Sequence, residues 1–282
     1  MLVNGKEIAA DILNDLKQRV EELKKKDAIP HLYIILLSDD SSSASYVKQK
    51  MLRGEEIGVK ITLERADQQI STEKLLEKIE KLNNDGSVHG IIVQRPMPKQ
   101  LDEEKIESAV SPQKDVDGFN PNSKFGIPVA LAVIEILRRI MIQDSRFINS
   151  KFEEWLKKQN ITVIGRGLTA GKPIINSFEK MGIEPNVISS KTENPENLLK
   201  DSDIIISAVG KPGILNGSEI KKGAILIGVG MHREEDGKFH GDYDEEEIQD
   251  KTSFYTPTPK GVGPINVSML LRNLVEAAEA LT

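Results

Sequence analysis

The sequence of 282 residues predicts an α/β protein with two domains, and three observations support this prediction. At roughly 150 residues per domain, the length corresponds to about two domains. Short apolar segments alternate with helical patterns over almost the whole chain, which is typical of β–α–β units with parallel strands. The segment GRGLTAGKP, at 165–173, places a glycine-rich turn between a predicted strand and a predicted helix.

The first half of the chain predicts three parallel strands separated by helices. Ile8, Ile12 and Leu16 recur at helical spacing and predict a helix over 4–26. HLYIILLS, at 31–38, is the short apolar run of a buried parallel strand. The same reasoning predicts a helix that begins at the capping residues Ser41, Ser42 and Ser43 and ends before Gly58, a strand at 59–64, a helix at 71–84 and a strand at 88–94.

A loop separates this series from a second one. Residues 115–128 are rich in glycine and proline and predict that loop. Helical patterns follow it, and then strands in regular succession with short helices between them. The predicted helices are 129–143, 150–159 and 264–282, and the predicted strands are 160–165, 185–189, 203–207 and 224–229.

Composition excludes several classes of function. With 38 basic and 44 acidic residues, the net charge of −6 argues against a general nucleic-acid binder. No apolar run approaches the 18 residues of a transmembrane helix, and the N-terminus lacks the pattern of a secretory signal, so we expect a cytoplasmic protein. The absence of cysteine excludes disulfides, thiolate nucleophiles and cysteine-bound metals. No metal site is expected, because metal-ligand spacing is missing among His31, His89, His232 and His240.

The glycine-rich turn predicts a site for a pyrophosphate. Its glycines are Gly165, Gly167 and Gly171, a spacing that is one residue longer than the usual dinucleotide fingerprint. Such a turn exposes backbone N–H groups, and the helix N-terminus adds partial positive charge. A tight turn between strand and helix with no ligand is the alternative reading.

The residues near this turn favour NADP over NAD. The strand after the turn ends in Ser190 and Lys191, where an NAD-binding protein would place an acidic residue for the ribose 2′-hydroxyl. Arg166 lies inside the turn itself. Arginine and lysine would pair with a 2′-phosphate, which a carboxylate would repel. Alternatively, these residues are ordinary surface charges.

A second turn, VGKPG at 209–213, follows the strand predicted at 203–207. Ligands of open α/β sheets bind at the carboxyl ends of the strands. Gly210 and Pro212 are therefore further candidates for cofactor binding.

A set of polar residues in the first half predicts proton transfer. Tyr46 and Lys50 are four residues apart and share one helix face, and Gln94 at a strand end could hydrogen-bond the neutral amine. A lysine acts as a base near neutral pH only when its pKa is lowered. Asp115 and Asp117 lie in a loop from which both could reach a polar ligand. By spacing alone, an exposed helix face and a simple turn are the alternative readings.

Six motifs together carry a family resemblance. SYVKQK, GIIVQRPMP, KDVDGF, VIGRGLTAGKP, SAVGKPG and PKGVGP occur in an order that resembles the bifunctional methylenetetrahydrofolate dehydrogenase/methenyltetrahydrofolate cyclohydrolase family, from about residue 2 to 280. The resemblance implies two α/β domains around a cleft, bound NADP, tetrahydrofolate substrates and a homodimer. It also implies a folate-binding catalytic domain at 1–144, completed by the helix 264–282, and a Rossmann-like NADP-binding domain at 145–263.

The resemblance also implies roles for single residues. Lys50 matches the catalytic lysine, Tyr46 a tyrosine that stacks on the folate, Gln94 a glutamine that tunes the lysine, and Asp117 an aspartate that binds the pterin ring. The remaining matches are Arg166 and Ser190 beside the 2′-phosphate, and Gly261, Gly263 and Pro264 in a loop that lines the folate site.

Three segments depart from the family pattern. PVALAV, at 128–133, replaces P-C-T-P-x-G, Gly228 replaces an acidic residue, and Lys260 and Asn266 alter P-G-G-V-G-P-x-T. A monofunctional dehydrogenase and a non-catalytic folate- or nucleotide-binding relative therefore remain alternatives. An unrelated Rossmann dehydrogenase is a third, which the ordered motifs of the first half disfavour.

Overall fold

The computed structural model describes residues 1–37, 41–144, 151–234 and 237–282. The side chains of Ser41 and Ser42, two of the predicted caps, lie outside the described part, as does residue 150, where one helix was expected to begin. The described residues form two compact units. We call residues 10–128 with 267–282 the lysine unit, and residues 1–9 with 129–266 the glycine-loop unit.

The lysine unit is built on a parallel sheet of three strands in the order β2-β1-β3. The strands are β1 (His31–Leu36), β2 (Lys60–Arg65) and β3 (Gly90–Gln94), and its helices are most of α1 (Gly5–Lys24), α2 (Ser41–Ile57), α3 (Thr72–Asn84) and α4 (Glu103–Ala109). One face of the sheet packs on α3 and α4 through a core that includes Ile35, Ile79 and Ile106. In this register Leu36 pairs with both Arg65 and Gln94, so the three strands end at one edge.

The C-terminal helix α10 (Val262–Leu281) contributes most of its length to the lysine unit. The side chain of Asn273 donates hydrogen bonds to the carbonyls of Val116 (2.8 Å) and Gly126 (2.9 Å). Near its end, Glu279 pairs with Arg19 of α1 at 2.6 Å. These contacts tie α10 to α1 and to the loop 115–128, which contains Asp115 and Asp117.

The glycine-loop unit contains a parallel sheet of five strands in the order β10-β7-β6-β4-β5. The strands are β4 (Ile161–Ile164), β5 (Asn186–Ile188), β6 (Ile204–Ser207), β7 (Ile225–Gly228) and β10 (Phe254–Tyr255), and the antiparallel pair β8 (Met231–Arg233) and β9 (Phe239–Gly241) lies apart from the sheet. Its helices are α5 (Pro128–Gln143), α6 (Phe152–Leu156), α7 (Gly171–Lys180), α8 (Pro195–Asp201) and α9 (Glu245–Ile248).

The boundaries of the two compact units differ from the predicted domain boundaries at residues 144 and 263. Helix α5 groups with the glycine-loop unit, where Arg138 lies over the ring of Phe152 at 4.5 Å. Residues 1–9 do so as well, because the N–H of Val3 donates to the carbonyl of Tyr255 at 2.8 Å. Such contacts join segments distant in sequence, and local patterns do not show them.

Each predicted strand and each major predicted helix is present, with ends shifted by a few residues. Sequence patterns did not predict five short elements, α4, α9, β8, β9 and β10. These have two to seven residues each and are too short to show a helical or strand periodicity. In the described ranges, no helix has both the length and the apolar character needed to cross a membrane.

Candidate active site

Lys50 of α2 and Gln94 at the end of β3 form the centre of a polar site in the lysine unit. The Lys50 amine donates a hydrogen bond to Oε1 of Gln94 at 2.9 Å. The amide nitrogen of Gln94 donates to the carbonyl of Arg95, also at 2.9 Å. The Ser43 hydroxyl, near the start of α2, donates to that same carbonyl at 3.3 Å. The amide of Gln94 is thereby oriented so that its oxygen faces the amine.

Burial changes the protonation of this lysine. The Lys50 side chain is only 7% exposed, and this burial lowers the pKa of its amine because the charged form loses hydration. The nearby carboxylate of Asp117 opposes the shift, since a negative charge favours the ammonium form. The pKa of Lys50 remains lowered overall, so the amine is suited to accept a proton.

Tyr46 lies one helical turn before Lys50 on α2 and is half-buried. Burial raises the pKa of its phenol, which therefore remains protonated near neutral pH. A protonated phenol offers a ring for stacking and an O–H donor, but it is a poor base. Of the two residues, Lys50 is the one suited to accept a proton.

The loop after residue 114 uses its two aspartates differently. Asp115 is buried, and its carboxylate accepts hydrogen bonds from the N–H groups of Gly118 (3.1 Å) and Asn120 (2.8 Å). Burial raises the pKa of Asp115 to about 6. The expectation that Asp115 reaches a ligand is therefore wrong, because its oxygens shape the loop. Asp117 is half-exposed in this loop, and its charge acts on Lys50.

Arg95 anchors the loop that follows Gln94, a role that the sequence reading missed. Its guanidinium pairs with Glu103 at 2.7 Å and with Glu107, both on α4. The same group lies over the ring of Phe119, 4.8 Å from its centre. Arg95 thus connects the end of β3 and the loop 115–128 to one helix. The sequence contains one indication of this role. Arg95 directly follows the predicted glutamine, and acidic residues follow it 8 and 12 positions later.

The predicted glycine turn lies between β4 and α7 in the glycine-loop unit. Gly165 has a φ of +93°, and a Cβ added there would lie 2.6 Å from the carbonyl oxygen of Ala208. A Cβ at Gly171 would meet the carbonyl oxygen of Gly165. Gly167, by contrast, has nothing within 4 Å of its missing Cβ. The turn therefore requires glycine at positions 165 and 171. Gly167 leaves open space next to the N-terminus of a helix, and a bound pyrophosphate needs such space.

The predicted partners of a 2′-phosphate are exposed beside this turn. Strands β4 and β5 end in register, with Ile164 opposite Ile188, so the loops that follow begin at the same edge of the sheet. The side chains of Arg166, Ser190 and Lys191 are exposed in these two loops. Two cations and a hydroxyl fit the chemistry of a phosphate group.

The second turn, after β6, is organised by a residue that the sequence reading missed. The carboxylate of Asp242 is fully buried and accepts a hydrogen bond from the Ser207 hydroxyl at 2.6 Å. It also accepts from three successive backbone N–H groups, those of Val209 (3.0 Å), Gly210 (2.7 Å) and Lys211 (3.0 Å). Pro212 is exposed next to them. An aspartate directly after a glycine, in GDYD, was the only sequence signal.

The last predicted residues lie at the start of α10, in the glycine-loop unit. A Cβ on Gly261 would lie 2.5 Å from the carbonyl oxygen of Pro257, so this position requires glycine. Gly263 has open space around its missing Cβ, and Pro264 is half-buried. In the ranges that the structure describes, no three His, Asp or Glu side chains form a group that could hold a metal ion.

Both parts of the chain match models of one protein family. Residues 3–117 match "Tetrahydrofolate dehydrogenase/cyclohydrolase, catalytic domain", and residues 146–282 match the NAD(P)-binding domain of the same family. The bifunctional protein FolD of Oceanobacillus iheyensis is 38% identical over 289 residues, which cover 99% of this chain and 97% of that protein. The chain belongs to the tetrahydrofolate dehydrogenase/cyclohydrolase family.

Solved structures of tetrahydrofolate dehydrogenase/cyclohydrolase enzymes share the fold. The bifunctional enzyme FolD of Campylobacter jejuni has a TM-score of 0.91 and 33% identity, with 99% of each chain covered. The Trypanosoma brucei enzyme, complexed with NADP cofactor and an inhibitor, has a TM-score of 0.89 and 27% identity, with 99% of this chain and 97% of that chain covered. The predicted family and the α/β fold class are confirmed.

Two of the departures from the family pattern have local structural reasons, whereas a third places a lysine in a backbone conformation that costs stability. Val129, Ala130, Ala132 and Val133 are buried in the first turns of α5, so the changed segment is an ordinary packed helix. A Cβ at Gly228 would lie 2.8 Å from the hydroxyl oxygen of Tyr243, which leaves no room for an acidic side chain. Lys260 has a φ of +92°, a backbone conformation that favours glycine.

Proposed function

We propose that the chain is a bifunctional one-carbon enzyme. It oxidises 5,10-methylene-tetrahydrofolate to 5,10-methenyl-tetrahydrofolate with NADP, and it hydrolyses the methenyl compound to 10-formyl-tetrahydrofolate. The observation that carries this proposal is the buried Lys50 amine, bonded to Gln94 and with its pKa lowered, in a chain of this family. A member that had lost the hydrolytic step would have no need for such a costly buried group.

The glycine-loop unit holds the cofactor in this proposal. NADP, when bound, supplies the acceptor for the hydride of the methylene carbon. The turn at Gly165, Gly167 and Gly171, together with the N-terminus of α7, binds the pyrophosphate. The 2′-phosphate is bound by Arg166, Ser190 and Lys191, and the exposed charges of Arg166 and Lys191 favour NADP over NAD. Gly210 and Pro212 of the second turn contribute the remaining contacts.

In this proposal, an aromatic residue, an acidic residue and a loop bind the folate. The phenol ring of Tyr46 stacks on it, and Asp117 binds the pterin ring. Gly261, Gly263 and Pro264 line its site. These residues hold the one-carbon unit in place for both reactions, and such positioning supplies much of the rate of a transfer between two bound molecules.

Lys50 manages the protons of the hydrolytic step. Water attacks the methenyl carbon, and the neutral amine accepts the proton that the water loses. The bond from this carbon to N5 then breaks and N5 takes up a proton. The hydroxyl on the carbon loses its proton and becomes the carbonyl oxygen of the formyl group, which remains on N10, so the whole reaction releases one proton. General acid–base help of this kind contributes about 10²–10⁴-fold. Gln94 accepts one N–H of the amine and so fixes where its lone pair points.

The domain roles and the assembly rest on the family resemblance, whereas the compartment rests on the composition of the sequence. We infer a folate-binding catalytic domain, an NADP-binding Rossmann-like domain, a homodimer and a cytoplasmic location. The net charge of −6 agrees with the proposed partners, which are small molecules and not nucleic acid.

Absorbance of the methenyl compound tests both activities in one experiment. Purified protein is mixed with 5,10-methylene-tetrahydrofolate and either NADP or NAD. We expect the methenyl signal to rise with NADP and then to decay. A signal that rises and persists would identify a monofunctional dehydrogenase, and the absence of any signal would refute the proposal.

A further inference from the structure

Asp242 makes an unusual set of hydrogen bonds for a buried acid. Its carboxylate is fully buried, and the hydroxyl and three backbone N–H groups that it accepts from are all neutral. A carboxylate is costly to bury without a cation, and several N–H donors are one way to offset that cost. All three N–H groups belong to the turn 209–211, so the carboxylate determines the conformation of this turn.

The surrounding backbone is built around the same residue. The backbone carbonyl of Asp242 accepts hydrogen bonds from Ile214 (2.8 Å) and Leu215 (3.3 Å), at the far end of the turn. A Cβ on Gly230 would collide with the Asp242 carboxylate oxygens, so the chain leaves space for them. Side chain and main chain of one residue thus hold both ends of the segment 207–215.

This arrangement limits what the second turn can bind. Three successive N–H groups would ordinarily make an anion site, but here an internal carboxylate already occupies them. Its negative charge also disfavours a phosphate next to it. The first turn differs, because Gly167 stands beside open space and exposed cations flank it. The two turns therefore suit different parts of a dinucleotide.

We propose that Asp242 is a positioning residue that shapes the second turn, residues 209–213, for the sugar hydroxyl and carboxamide groups of NADP, while the phosphates bind at the first turn. This inference rests on the proposed function, since it requires NADP to be the cofactor. Asp242 acts through the turn and does not itself contact NADP.

Replacing Asp242 by Asn tests the inference. An amide has one acceptor oxygen, so at least one of the N–H groups loses its partner and the turn relaxes. We expect the Kd for NADP, measured by calorimetry, to rise by at least about ten-fold, as expected when a buried donor loses its acceptor. Hydrolysis of methenyl-tetrahydrofolate without NADP should change by less than about two-fold, on the same scale.

Two further variants keep the test decisive. Asp244→Asn changes an exposed aspartate two residues away, which caps α9 through the N–H of Glu246, and its Kd for NADP should equal that of the parent. Ser207→Ala removes one neutral donor and should weaken NADP by a few-fold, even if Asp242→Asn does not fold.

The outcomes separate this inference from the proposed function. An unchanged Kd in Asp242→Asn, or in Ser207→Ala when the first variant does not fold, would overturn the inference. Equal fold-losses of NADP binding and of hydrolysis in Asp242→Asn, together with a lowered melting temperature, would also overturn it. That result would indicate a purely structural role. A parent protein that binds no NADP would instead refute the proposed function.

Discussion

Lys50 in the lysine unit is buried and bonded to Gln94, whereas Arg166 and Lys191 in the glycine-loop unit stand exposed on loops. The buried amine owes its chemistry to its surroundings, because lost hydration lowers its pKa. The exposed cations depend on the backbone only for their position. In the proposed function, catalysis therefore depends on burial, while recognition of the cofactor's charge does not.

The largest effect should follow removal of the buried amine. Lys50→Met keeps most of the side-chain volume and should lower hydrolysis of methenyl-tetrahydrofolate by at least about 10²-fold, the lower end of the range for general acid–base catalysis. The assay is the decay of methenyl absorbance in the absence of NADP. Lys48→Met changes an exposed lysine of the same helix and should leave the rate unchanged. A loss below ten-fold for Lys50→Met would remove it from proton transfer.

A smaller effect is expected for an exposed cation. Arg166→Ala removes a charge-assisted contact worth about 1.5–3 kcal/mol, so NADP should bind roughly ten-fold or more weakly and NAD much less so. Calorimetry with both nucleotides measures the difference. Lys180→Ala, at the far end of α7, serves as the control and should bind both as the parent does. Equal losses for the two nucleotides would contradict the assignment of a 2′-phosphate to this arginine.

The pH profile of hydrolysis tests the electrostatics of the buried site. The rate should rise with pH through the lowered pKa of Lys50, because only the neutral amine accepts a proton. The charge of Asp117 raises this pKa, so Asp117→Asn should move the rise to lower pH at saturating substrate. Asp102→Asn, at the half-exposed N-cap of α4, should leave the pH profile unchanged. A shift to higher pH in Asp117→Asn would contradict the statement that the charge of Asp117 raises the pKa of Lys50.

The smallest effect concerns stability near the start of α10. Lys260 has a φ of +92°, and a residue with a side chain loses about 1 kcal/mol in such a conformation. Lys260→Gly should therefore raise the free energy of unfolding, by about 0.5 kcal/mol after the greater freedom of glycine in the unfolded chain is subtracted. Thermal unfolding measures the change. Lys222→Gly, at an exposed turn position without positive φ, should instead lower stability.

The sequence allowed the lysine site to be predicted better than the cofactor turns. Tyr46 and Lys50 belong to one helix, so their spacing already places them on one face. Asp242 is 31 to 35 residues away from the groups that it holds, and no local pattern shows such a contact. Asp115 and Asp117 are alike in the sequence, and only burial distinguishes the one that shapes the loop from the one that faces Lys50.

The most direct test of this division of work is the time course of the methenyl signal in Lys50→Met, with 5,10-methylene-tetrahydrofolate and NADP as substrates. The proposed NADP-binding residues are unchanged in this variant, so oxidation should continue at a rate reduced by a clearly smaller factor than hydrolysis. We therefore expect the methenyl compound to accumulate in the variant, whereas the parent protein consumes it. Equal reduction of both activities, without accumulation, would show that Lys50 only binds the folate and would contradict the account.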